Sequence, residues 1–469
     1  MSSIASTLVQ ERTTAAPRAL AAVAAAAGLL ALPALWNGYP LAYYDSVDYV
    51  LMPFTWDMPI YRTGAYGAFA ILARLGHSLW AIVAAQSVMV AYVLYESLRL
   101  FAPAAPRRAL VTLTAALCLL TGLPWFTSQV MPDAFTGAVV LATITLAFAE
   151  VELDRWRRNT LAAILALGIA VHTSHFAIVG GLILCLGAAR VLAERGWPLL
   201  RPRLRTTLVS FVAALGIAVG ANWLMTGRAF LTQPSAVLTL GLLVQDGLAK
   251  RYLDEVCKKP GPDKPRLCMA RNRLPVRANE FLWHDDDFWK LGGWTGMQGE
   301  ADRIVKGCLA RYPLTYALTS LELMGQQLVM VDTADGLAPM RPFIGHAIQK
   351  YYPQEMSAFT SARQQRGIDF ALVNDIQVPL LLFSSAALVP ILWLAWRRRD
   401  RVSVTLAGLV LLALLGNAFV CGALSNPNDR YQSRIAWVAV LALALTGARL
   451  LGGAGDADAR SFTFGEVDE

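Results

Sequence analysis

The chain has 469 residues, 56% hydrophobic and only 16% charged, where an average soluble protein carries about a quarter charged residues. A soluble fold of this length could not cover so much apolar surface with so few charges, so the composition excludes a string of soluble domains and points to a multi-pass membrane protein. The net charge of +8 does not mark a nucleic-acid partner, because the arginines stand in short runs at the ends of apolar segments.

A helix crossing the ~30 Å hydrocarbon core needs about 20 mostly apolar residues. Ten stretches qualify as spans: 19–37, 79–98, 109–124, 134–151, 159–172, 175–193, 206–226, 377–396, 402–423 and 435–452. Arg12 and Arg18 precede the first, which places the N-terminus in the cytoplasm, and this stretch reads as a retained anchor rather than a cleaved signal peptide. Arg99, Arg107 and Arg108 then fall between spans 2 and 3; Arg155, Arg157 and Arg158 between 4 and 5; Arg190, Arg195, Arg201, Arg203 and Arg205 around the link from 6 to 7; and Arg397, Arg398, Arg399 and Arg401 between 8 and 9. The alternate connections are almost free of basic residues, with Arg430 and Arg434 as exceptions between spans 9 and 10. The expected fold is therefore an all-α polytopic membrane protein of about ten transmembrane helices, set in a bacterial inner membrane among its lipids.

Five regions follow from this reading: a cytoplasmic segment 1–18, a seven-span module 19–226 with a long first outer loop 38–78, an extracytoplasmic and mainly helical segment 227–376, a three-span module 377–452, and a disordered acidic tail 453–469. Within 38–78, one or two interfacial helices are expected, and the apolar run 65–75 is too short to span. Within 227–376, the pieces 236–249 and 313–331 read as amphipathic helices. Cys257 and Cys268 bracket a basic, proline-containing loop on the oxidising side and suit a disulfide, with Cys308 as the competing partner. His284-Asp285-Asp286-Asp287 reads as a solvated or capping run rather than a metal site.

Four outer connections carry unusual polar content that the topology places at one depth. They hold Asp45-Ser46-Val47-Asp48; Ser128-Gln129 and Pro132-Asp133; His172-Thr173-Ser174-His175; and Asn426 to Arg434. Asp45 and Asp48 are spaced to share one face of a helix. Two such carboxylates disfavour joint ionisation, so they call for a cation, a metal or a shared proton. This is the geometry of a site at the membrane–water boundary, where a lipid could present its head group.

The acidic pair in YYDSVDYV just after the first span, Asp133 in QVMPDAF and the seven-span first half resemble the GT-C superfamily of integral membrane glycosyltransferases, and MPIYRTGAYGAF is similar in position to a basic, proline-containing stretch of that family. The resemblance covers about residues 20–225. The acids here are spaced rather than adjacent, and the main soluble segment lies between spans 7 and 8 rather than at the C-terminus. The resemblance implies transfer of a sugar from a polyprenyl-phosphate-linked donor to a lipid or glycan acceptor at the extracytoplasmic face. The corresponding roles are Asp45 as first choice of base with Asp48 as alternative, Asp133 positioning the acceptor or a cation, and Arg62, Arg430 and Arg434 binding the donor phosphate, with one displacement inverting the anomeric centre. His172, His175 and Tyr44 are expected to bind acceptor or support the site. Asp45, Asp48 and Asp133 could instead hold one divalent cation. A transporter or flippase of lipid-linked sugars, and a glycan polymerase or ligase, are the competing readings; nucleic acid is not expected as a partner.

Overall fold

The computed structural model describes residues 17–233, 235–258, 264–333 and 335–452, so Arg12 and the tail 453–469 lie outside the described residues. Among those described, all regular structure is helical except one bridge between Leu41 and Gln129. The first apolar stretch forms α1 (Pro17–Leu30) and α2 (Leu32–Asn37), which ends at Gly38 in the left-handed region, φ 87°. The first long loop folds into α3 (Ser46–Thr55), α4 (Gly64–Phe69) and α5 (Ile71–Leu75). There follow α6 (Trp80–Phe101), α7 (Pro106–Leu120) and α8 (Leu123–Thr127), then a 3₁₀ turn, Pro132–Phe135, leading into α9 (Thr136–Ala149). The first half closes with α10 (Arg155–Ala170), α11 (Thr173–Glu194) and α12 (Arg205–Thr226).

The long middle segment holds α13 (Ser235–Gln245), α14 (Leu248–Val256), α15 (Ala278–His284), α16 (Asp286–Lys290), α17 (Gly293–Gly296), α18 (Gln298–Arg311), α19 (Pro313–Val329), α20 (Arg341–Tyr351) and α21 (Met356–Ser361). The chain then returns to long apolar helices: α22 (Ala371–Arg397), α23 (Arg401–Ala418), which runs into a π-helical turn at Phe419–Ala423, and α24 (Asp429–Leu451).

Each of the ten apolar stretches is helical, and seven form helices long and apolar enough to cross a membrane: α6, the Pro132–Ala149 unit, α11, α12, α22, α23 with its π turn, and α24. The other three are shorter. α7 and α10 have 15 and 16 residues, about 22–24 Å of helix, and α1 is also below span length.

Alanine, threonine and glycine on α9 let neighbours approach from every side. Its apolar window is 100% buried, against 28% for α11 and α12 and 22% for α22. This makes α9 the axis of the bundle and turns the outer faces of α11, α12 and α22 toward the surroundings. α24 packs on it where Gly137 meets the Trp437 indole, 2.5 Å from where a Cβ on Gly137 would lie. Side-chain hydrogen bonds also cross the bundle, as between Ser97 Oγ and Thr145 Oγ1 (2.8 Å).

The middle segment builds a second core from Val237, Leu240, Phe281, Phe288, Trp294 and Ile304. Cys257 and Cys268 are disulfide-bonded there, Cα–Cα 5.7 Å, while Cys308 is free and buried. Asp285 caps α16 by accepting the Phe288 N–H (2.7 Å), and Asp287 pairs with Arg273 (2.9 Å), so the acidic run is a cap and a surface ion pair. The two pieces read as amphipathic helices become α13 with α14, and α19.

Residues 335–370 lie across the first long loop. Gln364 Oε1 accepts the Ala42 N–H (3.1 Å) and its Nε2 donates to Ala42 O (2.6 Å). Glu355 accepts the Tyr39 hydroxyl (2.7 Å) and the Ser78 hydroxyl.

Gly137→Ala should lower the thermal midpoint in detergent, since overpacking of this kind costs ~1–3 kcal/mol. Adding Trp437→Leu to that variant should recover part of the loss, which circular dichroism melts of the single and double variants will read.

Candidate functional site

Two loops distant in sequence are first zipped together by backbone. Leu41 N–H donates to Ser128 O and Val130 N–H to Leu41 O, both 2.9 Å. Ser46 Oγ then donates to Val130 O (3.0 Å) and accepts the Tyr43 N–H (2.8 Å). This register carries Asp45, the residue preceding α3, toward Asp133, which sits in the 3₁₀ turn behind Pro132. Asp48 stands in the first turn of α3, and Arg62 returns from the loop to bridge the pair: its Nη2 contacts Asp45 Oδ1 and its Nε donates to Asp48 Oδ2 at 2.9 Å. The cation that the like-charged pair calls for is thus supplied by the chain itself.

The other side of the site is the start of α24. Asn428 caps it, accepting the Arg430 N–H (3.2 Å), and is fixed by Gln327, which donates to Asn428 O (2.8 Å) and accepts its N–H (3.0 Å). Arg430 and Arg434, one turn apart, project from one face. Arg434 is fully enclosed. Its Nη1 donates to Asp133 Oδ1 (2.8 Å) and lies 3.4 Å from His172 Nε2, while its Nη2 contacts Ser174 Oγ (3.1 Å) and Cys421 Sγ (3.4 Å). The π-helical turn after α23 delivers Cys421, the kind of local irregularity common at functional sites.

Arg430 sits between the two acidic groups. Its Nη1 is 3.6 Å from Asp45 Oδ2 and its Nε 3.8 Å from Asp133 Oδ1, within ion-pair range but too long for hydrogen bonds. Its guanidinium lies 4.0 Å from the centroid of the Tyr43 ring, a cation–π contact. Arg430 Nε and Nη1, Arg434 Nε and Asp133 Oδ2 are buried with no hydrogen-bond partner. Arg430 is 6% exposed, so these donors are shielded from bulk water as well.

All six charged residues expected from the sequence therefore meet: Asp45, Asp48, Asp133, Arg62, Arg430 and Arg434. Their parts differ. Arg62 and Arg434 are tied to carboxylates, and Arg430 is the arginine with two unengaged donors. His172 joins the cluster through Arg434. His175 is buried one layer behind, its Nε2 2.8 Å from Thr136 Oγ1 and its Nδ1 2.6 Å from Gly168 O, so both ring nitrogens hold helices together. Tyr44 stands outside: it is exposed and its ring packs on Tyr43 and Phe343, while Tyr43 takes the inward place.

Gly336, at φ 72°, is a further element. Any Cβ there would overlap the Tyr43 ring, so this turn seats the tyrosine against Arg430. The adjacent Asp335 accepts the Arg430 N–H at 3.4 Å. The Asp-Gly dipeptide was readable as a turn; its contact with Tyr43 was not.

The three carboxylates are paired with arginines. Asp45, Asp48 and Asp133 each face a guanidinium, and among the described residues no three His, Cys, Asp or Glu side chains gather as a metal-binding group. Burial raises the Asp48 carboxyl above the ordinary range against the pull of Arg62, with Asp45 and Asp57 adding to the rise. Comparison of the chain with family models, curated proteins and solved structures gave no match.

Asp133→Ala should destabilise the protein strongly, by ~3–5 kcal/mol, because it leaves Arg434 buried without its partner. The double variant Asp133→Leu/Arg434→Met should be more stable than the single one, as thermal melts in detergent will show. A carboxyl whose folded pKa is raised contributes most below its unfolded value of about 3.9 and loses that contribution as pH climbs through the folded value. The parent's midpoint should therefore fall over that window, and the Asp48→Asn variant should lack this component of the pH slope.

Proposed function

We propose that the chain is a GT-C-like membrane glycosyltransferase, moving a sugar from a polyprenyl-phosphate-linked donor to a lipid or glycan acceptor at the outer face of a bacterial inner membrane. Ten passes are assigned to it, with α1, α7 and α10 as short spans and the N-terminus inside. This alternation sets the arginine-rich links α6–α7, α9–α10, α11–α12 and α22–α23 on the cytoplasmic side and the acid–arginine cluster on the other.

The observation that carries the reading is Arg430. A guanidinium buried between Asp45 and Asp133 with two unpartnered N–H donors costs free energy, about 1–3 kcal/mol for each donor left unmet. A phosphate oxygen satisfies such donors well. In the proposed reaction the acceptor hydroxyl attacks the anomeric carbon and the bond from that carbon to the phosphate oxygen breaks. The electron pair leaves on polyprenyl phosphate, whose charge Arg430 receives. The acceptor proton passes to Asp45, whose Oδ2 faces the Arg430 pocket. Asp48 and Arg62 hold Asp45 in place; Arg434, His172 and Asp133 form the floor. The anomeric centre inverts.

A transporter is less well supported, since transporters concentrate ionisable groups near the midplane. Here Arg430 and Arg434 lie in the opening turns of α24, and Asp133 lies at the opening of its helix.

The test is transfer from a panel of polyprenyl-phosphate-linked sugars by the purified chain in vesicles, with product identified by mass spectrometry. Asp45→Asn and Arg430→Gln should each lower the rate by about 10²–10⁴-fold, with thermal midpoint and chromatographic profile retained. Parental rates in both folded variants would sink the assignment, as would sugar flux without product.

A further inference from the structure

The end of the bundle opposite the acid–arginine cluster holds a large groove of about 1740 Å³, beyond the ~300–1,000 Å³ of an ordinary small-molecule pocket. Its walls come from α1, α6, α7 and α10. Three of these are the helices below span length. Leu20, Val23, Val88, Met89, Ile164 and Leu167 give it apolar flanks, and Leu20 and Val88 are exposed, as expected of a surface that meets acyl chains.

The rim is basic. Arg99, Arg107, Arg108 and Arg157 line it, against Glu96 and Asp154 as its acids. The acids are occupied: Glu96 is buried and engaged by Arg157 through both oxygens, one contact being Nε to Oε1 at 2.9 Å, and Asp154 caps α10 by accepting the Arg157 N–H at 2.9 Å. Arg99 reaches Glu96 only at 3.9 Å and its side chain is 43% exposed. Arg107 and Arg108 make no ion pair among the described residues. They stand in the first turn of α7, whose N-terminus begins with Pro106 and is capped by no side chain. A positive helix end and the guanidiniums of Arg107 and Arg108 converge on one edge of an apolar slot, beside Arg99, which donates to the Tyr95 hydroxyl at 3.4 Å. Trp156, exposed beside them, is the residue type that settles at head-group level.

We infer that this groove is a binding site for an anionic glycerophospholipid of the cytoplasmic leaflet, its phosphate held by Arg99, Arg107, Arg108 and the start of α7 and an acyl chain lying between α1, α6 and α10. The inference rests on the orientation given above and not on the transferase reading. A zwitterionic lipid would bring a cation to the same guanidiniums, so head-group charge is the selecting feature. The slot also gives the short helices an apolar partner where the bilayer would otherwise meet their ends.

The test uses the full purified chain in detergent with three additions: phosphatidylglycerol, phosphatidylcholine of identical acyl chains, and glycerol 3-phosphate. Native mass spectrometry reads retained lipid and a melt reads the thermal midpoint. Phosphatidylglycerol should stay bound and raise the midpoint, the other two should not, and the Arg107→Gln/Arg108→Gln double variant should bind it about thirtyfold more weakly. Ala163→Phe, which fills the wall without touching a charge, should also displace it. Equal retention of both phospholipids would overturn the site, as would unchanged binding in the two variants. Equal stabilisation by glycerol 3-phosphate would show an anion pocket that does not read the lipid. None of these readouts involves sugar transfer, so the two proposals fail separately.

Discussion

In a medium that excludes water, a carboxylate or guanidinium stays charged only if its counter-charge stands beside it, and the penalty for a missing partner is several kcal/mol. Asp133 and Arg434 are both fully enclosed and meet at 2.8 Å across 301 positions of sequence. That contact requires the 3₁₀ turn before α9 and the second turn of α24 to lie side by side. The rest of this end of the bundle is arranged around it: the Leu41–Gln129 bridge brings the first loop to Asp133, Asn428 and Gln327 hold the start of α24, and Arg430 is left in the gap between the two carboxylate groups. The ion pair determines the geometry, and the unengaged donors of Arg430 are what the geometry leaves over.

Three guanidiniums and three carboxylates give a cluster with no net charge, so a bound phosphate would add an uncompensated negative charge to a buried site. Asp48 offers a way to limit that cost. Its carboxyl already holds a proton more tightly than an ordinary aspartate, chiefly through burial. An added negative charge nearby raises a carboxyl's proton affinity further. Under the proposed reading, anion binding would therefore be coupled to protonation of this pair, and Arg62 would be left to stabilise Asp45 alone.

Much of this end was legible because polarity and topology are one-dimensional signals. Runs of about 20 apolar residues give helices at all ten expected places, and the arginine bias exposes Arg430 and Arg434 as exceptions. Those two exceptions, with Asp45, Asp48, Asp133 and Arg62, are the residues that the fold brings together. What spacing could not show was which donors would be consumed. The engagement of both Arg434 Nη groups depends on Ser174, Cys421 and Asp133 from three separate elements, and no local pattern reports it. The choice between Tyr43 and Tyr44 likewise depends on Gly336, nearly 300 residues away, which leaves room for the ring of Tyr43. Asp154, which caps α10 by accepting the Arg157 N–H, and the proline opening α7 set where those helices begin, while the apolar stretches 109–124 and 159–172 run a few residues past their ends.

Those short helices are also what make the two ends of the bundle unlike. At the end that holds the acid–arginine cluster, the middle segment and the cover at 335–370 bury the charges under protein, so partners had to be built in. At the other end, α1, α7 and α10 stop early and, with α6, line an open slot. Arginine suits such a rim because its apolar stem can lie along the slot while its weakly hydrated head stays at the boundary. A full-length helix in place of α7 would carry Arg107 and Arg108 away from the apolar flanks and break the juxtaposition of charge and slot. The basic groove is thus a consequence of helix length, in the same way that the outer cluster is a consequence of enclosure.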